Sequence, residues 1–190
     1  MPGMTVQVRD ATPDDATRIA EVHVESWQGA YRGLIPQEVL DRLEVSAARV
    51  GGWQRNIETA PGMVLVADAD RPVIGFAHVG PTRDQDGDPA RTGELTTIYL
   101  LPAYWGRGTG RLLMDAAVSR LAAAGYTDAT LWVLDTNERA RRFYAAAGWI
   151  FDGTARVEER GSYSLSEVRY RRPLSHELGS RDRGPRLSRA

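Results

Sequence analysis

The stretch Ile98-Tyr-Leu-Leu-Pro-Ala-Tyr-Trp-Gly-Arg-Gly-Thr-Gly-Arg111 limits the folds open to this chain more than any other part of it. Residues 94–101 read as a strand that Pro102 ends, because proline has no N–H to give a ladder. A glycine-rich turn then feeds residues 109–124. There Leu113, Ala117 and Leu121, beside Met114 and Val118, mark an amphipathic helix closed by Gly125. Residues 129–134 form a second short apolar strand. A strand–helix–strand unit of this length implies two parallel neighbours joined by a right-handed crossover.

The flanking segments add antiparallel strands. Residues 4–9 alternate as a first strand, and Thr12-Pro13-Asp14-Asp15 carries the cap, the proline and the acids of a helix start. Ile19, Val22, His23, Ser26 and Trp27 follow at helical spacing. Val39, Leu40 and Leu43, then Val50, Trp53 and Ile57, predict further helical segments. Residues 63–67 and 73–79 read as an antiparallel hairpin, and residues 81–93 as a loop. Downstream, residues 138–147 predict a helix stopped by Gly148, and residues 149–157 and 163–170 predict two last strands. The expected fold class is α/β (α+β): one domain with a mixed seven-stranded sheet flanked by helices, in the order βα(α)βββαβαββ. Its strands 94–101 and 129–134 should run parallel and splay apart.

Residues 171–190 carry six arginines against Glu177 and Asp182, with Gly, Ser and Pro interspersed. Residues 1–172 are therefore expected to form the domain and 173–190 an arginine-rich, flexible tail. The formal net charge of −1 gives no global attraction to nucleic acid, which is not expected as a partner. No apolar run approaches the roughly 20 residues of a membrane span, so no membrane association is expected. The N-terminal ten residues lack the basic and apolar regions of a secretory signal, which points to the cytoplasm. A homodimer is compatible with the sequence, and nothing in it fixes the oligomeric state.

Several chemistries lack their residues. The chain has no cysteine and no lysine, so every basic residue among its 24 is arginine. Thiolate metal sites, a cysteine acyl carrier, Schiff-base chemistry and a Walker-type lysine are all excluded. His23, His78 and His176 have no metal-ligand spacing, so no metal is expected. Asp84-Gln-Asp86-Gly-Asp88 suggests a calcium loop, but its glycine is at the fourth position and Leu95 stands where the bidentate glutamate belongs.

What the glycine turn offers is a phosphate site. Gly106, Gly108 and Gly110 let the backbone approach a ligand and aim successive N–H groups at it. The helix start adds unpaired N–H groups and the positive end of its dipole, and Arg107 and Arg111 add fixed charge. A dinucleotide fingerprint fails, since Arg111 or Leu113 stands where the third glycine is required.

The strand, Pro102, the turn and the helix resemble motif A of the GNAT acyltransferases, Arg/Gln-x-x-Gly-x-Gly/Ala, with Gly108 and Gly110 as its glycines and Trp105 at its first place. Asn137-Glu-Arg-Ala-Arg-Arg-Phe-Tyr144-Ala-Ala-Ala-Gly-Trp149 resembles the family's second motif, and together the likeness spans residues 4–172. Trp27-Gln-Gly-Ala-Tyr31-Arg-Gly-Leu-Ile-Pro36 is similar to one branch of small bacterial acetyltransferases. The resemblance implies an acetyl-CoA-dependent N-acetyltransferase acting by direct attack of an amine. Backbone groups of Ile98, Tyr99 and Leu100 would face the pantetheine and acetyl group. Gly106, Arg107, Gly108, Thr109, Gly110 and Arg111 would hold the pyrophosphate, Asn137 would bind the cofactor, and Tyr144 would hand a proton to the departing sulfur.

The amine arrives as ammonium and needs a proton acceptor, for which Glu94 is the first candidate; a solvated strand-end carboxylate is the plainer reading of it. For the acceptor the expectation is a small-molecule amine, bound by Glu25, Trp27 and Tyr31 with help from Asp84, Asp86 and Asp88, since carboxylates and aromatic faces suit a cation. A protein or peptide N-terminus and a non-catalytic acetyl-CoA-binding module are the alternatives.

Overall fold

In a computed structural model the structure describes residues 5–60, 62–69, 72–161 and 163–174. Seven strands form one sheet in the order β1-β2-β3-β4-β5-β7-β6. They are β1 (Val6–Asp10), β2 (Val64–Ala69), β3 (Val73–Pro81), β4 (Thr92–Leu100), β5 (Asp128–Leu134), β6 (Ile150–Arg160) and β7 (Tyr163–Pro173). Only β4 and β5 pair in parallel; every other neighbouring pair is antiparallel. The mixed sheet expected from the sequence is the one found.

The helices are α1 (Ala16–Ala30), α2 (Gln37–Asp41), α3 (Ala47–Thr59), α4 (Thr109–Ala123) and α5 (Glu138–Ala146). The first helix starts one turn later than its signal. Pro13–Asp15 is a 3-10 turn, in which the Asp15 carboxylate accepts from Thr12 N at 2.8 Å and from Thr12 Oγ1 at 3.0 Å. Phe76 of β3 meets His23 of α1 and Trp53 of α3 edge-on, while Gly93 of β4 backs onto Leu121 of α4. Helices thus cover both faces, which is why β2 and β3 are buried almost without alternation.

Strands β4 and β5 pair only at Thr92↔Asp128, Gly93↔Ala129 and Glu94↔Thr130. Beyond that, β4 follows β3 to Leu100 and β5 follows β7 to Leu134, so a gap opens between them. Its physical origin is a bulge. Thr97 opposes His78 and Leu95 opposes Val79, which leaves Thr96 as an extra residue; its Oγ1 donates to the His78 carbonyl at 2.9 Å. A bulge adds twist and ends regular pairing.

Helix α1 is pressed against the end of β4. A methyl group on Gly29 would lie 2.5 Å from Cγ of Pro102, so only glycine allows this approach. The domain also runs slightly past the expected boundary: β7 reaches Pro173, and Leu174 is buried with its N–H on the Thr127 carbonyl at 2.9 Å. The rest of the proposed tail lies outside the described residues. No described helix is long and apolar enough to cross a membrane.

Candidate active site

The splay between β4 and β5 opens into one cleft of about 840 Å³. Its lining brings together the glycine turn, Tyr99 and Tyr144, Trp27 of α1 with Tyr31 just after it, and Trp132 of β5.

The turn is built as the sequence implies. Gly106 and Gly108 have φ of +72° and +85°, and a Cβ on either would meet no protein atom within 4 Å. Gly108 is the N-cap of α4, so the helix's unpaired N–H groups begin at open space. Gly106, Gly108, Gly110 and Arg111 line the cleft; Thr109 is buried, and the Arg107 side chain is exposed outside the lining, leaving these two their backbone groups. Arg111 ties α4 to α5, donating to Asp115 at 2.9 Å and to the Ala146 carbonyl at 3.0 Å.

Trp105 replaces the first residue of the motif and is held on both sides. Its Nε1 donates to the Leu100 carbonyl at 2.8 Å. The Arg139 guanidinium, from the first turn of α5, lies 3.3 Å from the ring centroid. Among the described residues Arg139 has no carboxylate partner, so a cation from α5 reaches the cleft beside Trp105.

On β4 the Leu101 N–H donates to the Ile74 carbonyl at 2.9 Å. By antiparallel alternation Tyr99 then turns its N–H and C=O to Phe76, and those of Ile98 and Leu100 face the gap. The part of Tyr99 that enters the cleft is its side chain, whose hydroxyl lies 3.0 Å from that of Tyr31. Tyr144 of α5 joins them. Burial raises the pKa of all three phenols, and charge on Tyr31 would further oppose ionisation of Tyr144. All three stay protonated and able to donate.

Asn137 is 6% exposed and caps α5, its Oδ1 accepting from Ala140 N at 3.1 Å. Only its amide NH₂ is left for a ligand. Glu94 is 2% exposed and is not a solvated strand-end carboxylate. Arg83 grips it with Nη2 at 2.5 Å on Oε1, and with Nε at 3.1 Å and the backbone N–H at 3.0 Å on Oε2.

The expected cation-binding carboxylates are not available. Glu25 is exposed and outside the cleft lining. Asp84 is bonded to Trp132 Nε1 at 2.9 Å and to Arg169, and Asp86 is clamped by Arg169 at 2.6 and 2.8 Å. Asp88 caps its own turn through Ala90 N. Sequence reading missed Arg169, 4% exposed, because an arginine in an alternating strand carries no sign of which loop will fold over it.

His23 also went unassigned. It stacks on Tyr99 at 5.2 Å and meets Trp27, Trp53 and Phe76 edge-on. Burial, with Arg49 adding, lowers its pKa from 6.5 to about 4. Between those values the unfolded chain binds a proton that the folded chain refuses, so stability falls as pH drops from 6.5 to 4, by up to about 3 kcal/mol. Urea midpoints across this range should fall less steeply for His23→Gln than for the parent; equal slopes would remove His23 as the cause.

Known proteins share the sequence family and the fold. A family model described as "Acetyltransferase (GNAT) family" matches residues 20–149. The "Uncharacterized N-acetyltransferase YuaI" of Bacillus subtilis is 34% identical over 133 residues, 70% of this chain and 73% of that protein. The crystal structure of PaiA N-acetyltransferase from Thermoplasma acidophilum in complex with coenzyme A superposes with a TM-score of 0.71 at 24% identity, over 90% of this chain and 99% of that one. The structure of yncA from Salmonella typhimurium, a putative acetyltransferase with its cofactor acetyl-CoA, gives 0.71 at 20% identity, over 97% and 99%. With its motifs meeting at one cleft, the chain belongs to the GNAT family of acetyl-CoA-dependent N-acetyltransferases.

Proposed function

We propose that the protein acetylates a small-molecule primary amine by direct attack of that amine on the thioester, with no covalent enzyme intermediate. The observation that carries the reading is that one cleft joins a glycine turn with open N–H groups, protonated phenols and the aromatic side chains of Trp27 and Tyr31. The lack of cysteine in the chain favours a direct route over a thiol-borne acyl group.

Acetyl-CoA, when bound, supplies a thioester carbonyl and a thiolate leaving group. The N–H groups of Gly106 to Gly110 fit its pyrophosphate, since the side-chain directions are empty at Gly106 and Gly108, while the Arg111 N–H is already on the Gly108 carbonyl at 2.9 Å. Arg139 adds a cation beside them. The N–H groups of Ile98 and Leu100 face the gap and stabilise charge developing on the carbonyl oxygen. The amide NH₂ of Asn137 serves the cofactor from the α5 side. Tyr144 directs its phenolic O–H toward the sulfur; burial holds the proton on the phenol, so its contribution is a hydrogen bond to the departing thiolate ahead of full proton transfer. Glu94, held by Arg83, takes the amine's proton through its remaining lone pairs.

Tyr144→Phe should lower turnover at least about tenfold, equal to about 1.4 kcal/mol of barrier, with acetyl-CoA affinity unchanged by calorimetry. Parent-like turnover would reduce Tyr144 to a packing residue. The acceptor class is read from acetyl-CoA consumption over a panel of small amines and peptides. Turnover confined to peptide N-termini would replace the small-molecule reading.

A further inference from the structure

We infer that the acceptor is an amine that also carries a carboxylate, an amino-acid-like molecule anchored through Arg156, and not a polycationic amine. This deepens the proposed function and rests on it.

The charge arrangement of the acceptor half carries the inference. A second ammonium group would need an unengaged carboxylate, and those lining the cleft are already taken. Glu94 is gripped by Arg83, Glu158 by Arg160 at 2.7 Å, Glu167 by Arg156 at 2.7 Å, and Asp84 by Arg169 at 3.1 Å. In three of the four pairs the arginine is the outer partner: the side chains of Glu94, Glu167 and Glu158 are 3%, 15% and 37% exposed, against 70% for Arg83, 42% for Arg156 and 52% for Arg160, while Asp84 and Arg169 are buried together. A molecule entering from solvent therefore meets guanidinium N–H groups before it meets carboxylate oxygens. Each guanidinium has five donors, and one carboxylate does not exhaust them.

Arg156 is the best prepared of these. It stands on β6 with its guanidinium carbon 4.0 Å from the centroid of the Trp132 ring. Its Nε and Nη2 both go to one oxygen of Glu167, at 2.8 and 2.7 Å. The stack and the ion pair fix the plane, and Nη1 has no hydrogen-bond partner among the described residues. A donor whose orientation is already fixed loses little freedom when it binds. Arg156 and Trp132 line the same cleft as Tyr144 and Tyr99, so a bound carboxylate and an amine at the thioester share one enclosure. Trp27, Tyr31 and Trp132 give the carbon skeleton an aromatic setting.

The test compares amines with and without the carboxylate on one skeleton: phenylalanine against 2-phenylethylamine, and lysine against cadaverine. With the parent enzyme, kcat/KM should favour the acid at least about tenfold, the value of one charge-assisted contact. Arg156→Gln should erase most of that preference by raising KM for the acids more than it changes kcat, while KM for 2-phenylethylamine does not rise. Arg156→Lys, a cation without the fork, should restore part of the preference. Thermal melting of both variants separates these effects from loss of fold. Faster turnover of cadaverine or 2-phenylethylamine than of the acids overturns the inference and leaves the small-amine reading standing. An acid preference unaltered in Arg156→Gln overturns the role of Arg156. Turnover of peptide N-termini alone, or of none of these amines, overturns the inference together with the function beneath it.

Discussion

Gly108→Val is expected to weaken acetyl-CoA binding by at least about a hundredfold, close to 3 kcal/mol. Two effects combine. At φ +85° a β-branched side chain is strained, by roughly 1–2 kcal/mol, at a residue that caps α4. The larger effect is steric. A Cβ there enters space with no protein atom within 4 Å, in the turn whose N–H groups are proposed to hold the pyrophosphate. Gly125→Val is the matched control. Gly125 follows the other end of α4 with φ +94° and equally open surroundings, but does not line the cleft. Both variants should lose comparable stability in urea titrations, and only Gly108→Val should lose affinity by calorimetry. Parent-like affinity of a folded Gly108→Val protein would move the phosphate site away from this turn.

Arg169→Met should cost about 3–5 kcal/mol of stability, the range for removing one partner of a buried charge cluster. Arg169 is 4% exposed and bonds Asp84, Asp86, Asp152 and Thr154 together, so it fastens the loop between β3 and β4 onto the β6–β7 hairpin. Its loss leaves the Asp84 side chain, 10% exposed, without its cation, and leaves Asp152, 17% exposed, with only Arg171 at 3.8 Å. Roughly 10 °C of melting temperature should go with it. Arg142→Met makes the comparison, because the Arg142–Glu138 pair is more than two-thirds exposed on both sides and is worth well under 1 kcal/mol. Similar losses in the two variants would show that the Arg169 cluster is no more than a surface network. Because the loop holds Asp84 and Arg83 at the acceptor end, Arg169→Met should also raise KM for the acceptor more than for acetyl-CoA.

Element type and order were legible along the chain because they rest on local signals. Pro102, Gly125 and Gly148 end their elements where expected, and the apolar stripe of 109–124 is the face α4 buries on the sheet. The glycine turn was legible for the same reason, since positive φ and an open N-terminus are properties of a few adjacent residues. The acceptor end was misread where charges were counted without their partners. Asp84 and Asp86 look like a cation site in the sequence, and it takes Arg169, more than 80 residues away, to neutralise them.

By itself, then, the sequence determined the order of strands and helices, the parallel crossover, the glycine turn with its positive φ, and the placing of Asn137 and Tyr144 on α5 and its cap. Each follows from spacing within a segment, where chain connectivity fixes the geometry. The splay of β4 from β5 was expected from the sequence; tertiary structure alone decided that Thr96 bulges and that the pairing ends at Glu94, that Tyr99 meets Tyr31 while its backbone turns to β3, and that Arg139 comes from α5 to cover Trp105. It also decided that, among the described residues, each carboxylate lining the cleft is held by an arginine. These depend on which distant residues share a volume, and local periodicity carries no information about that.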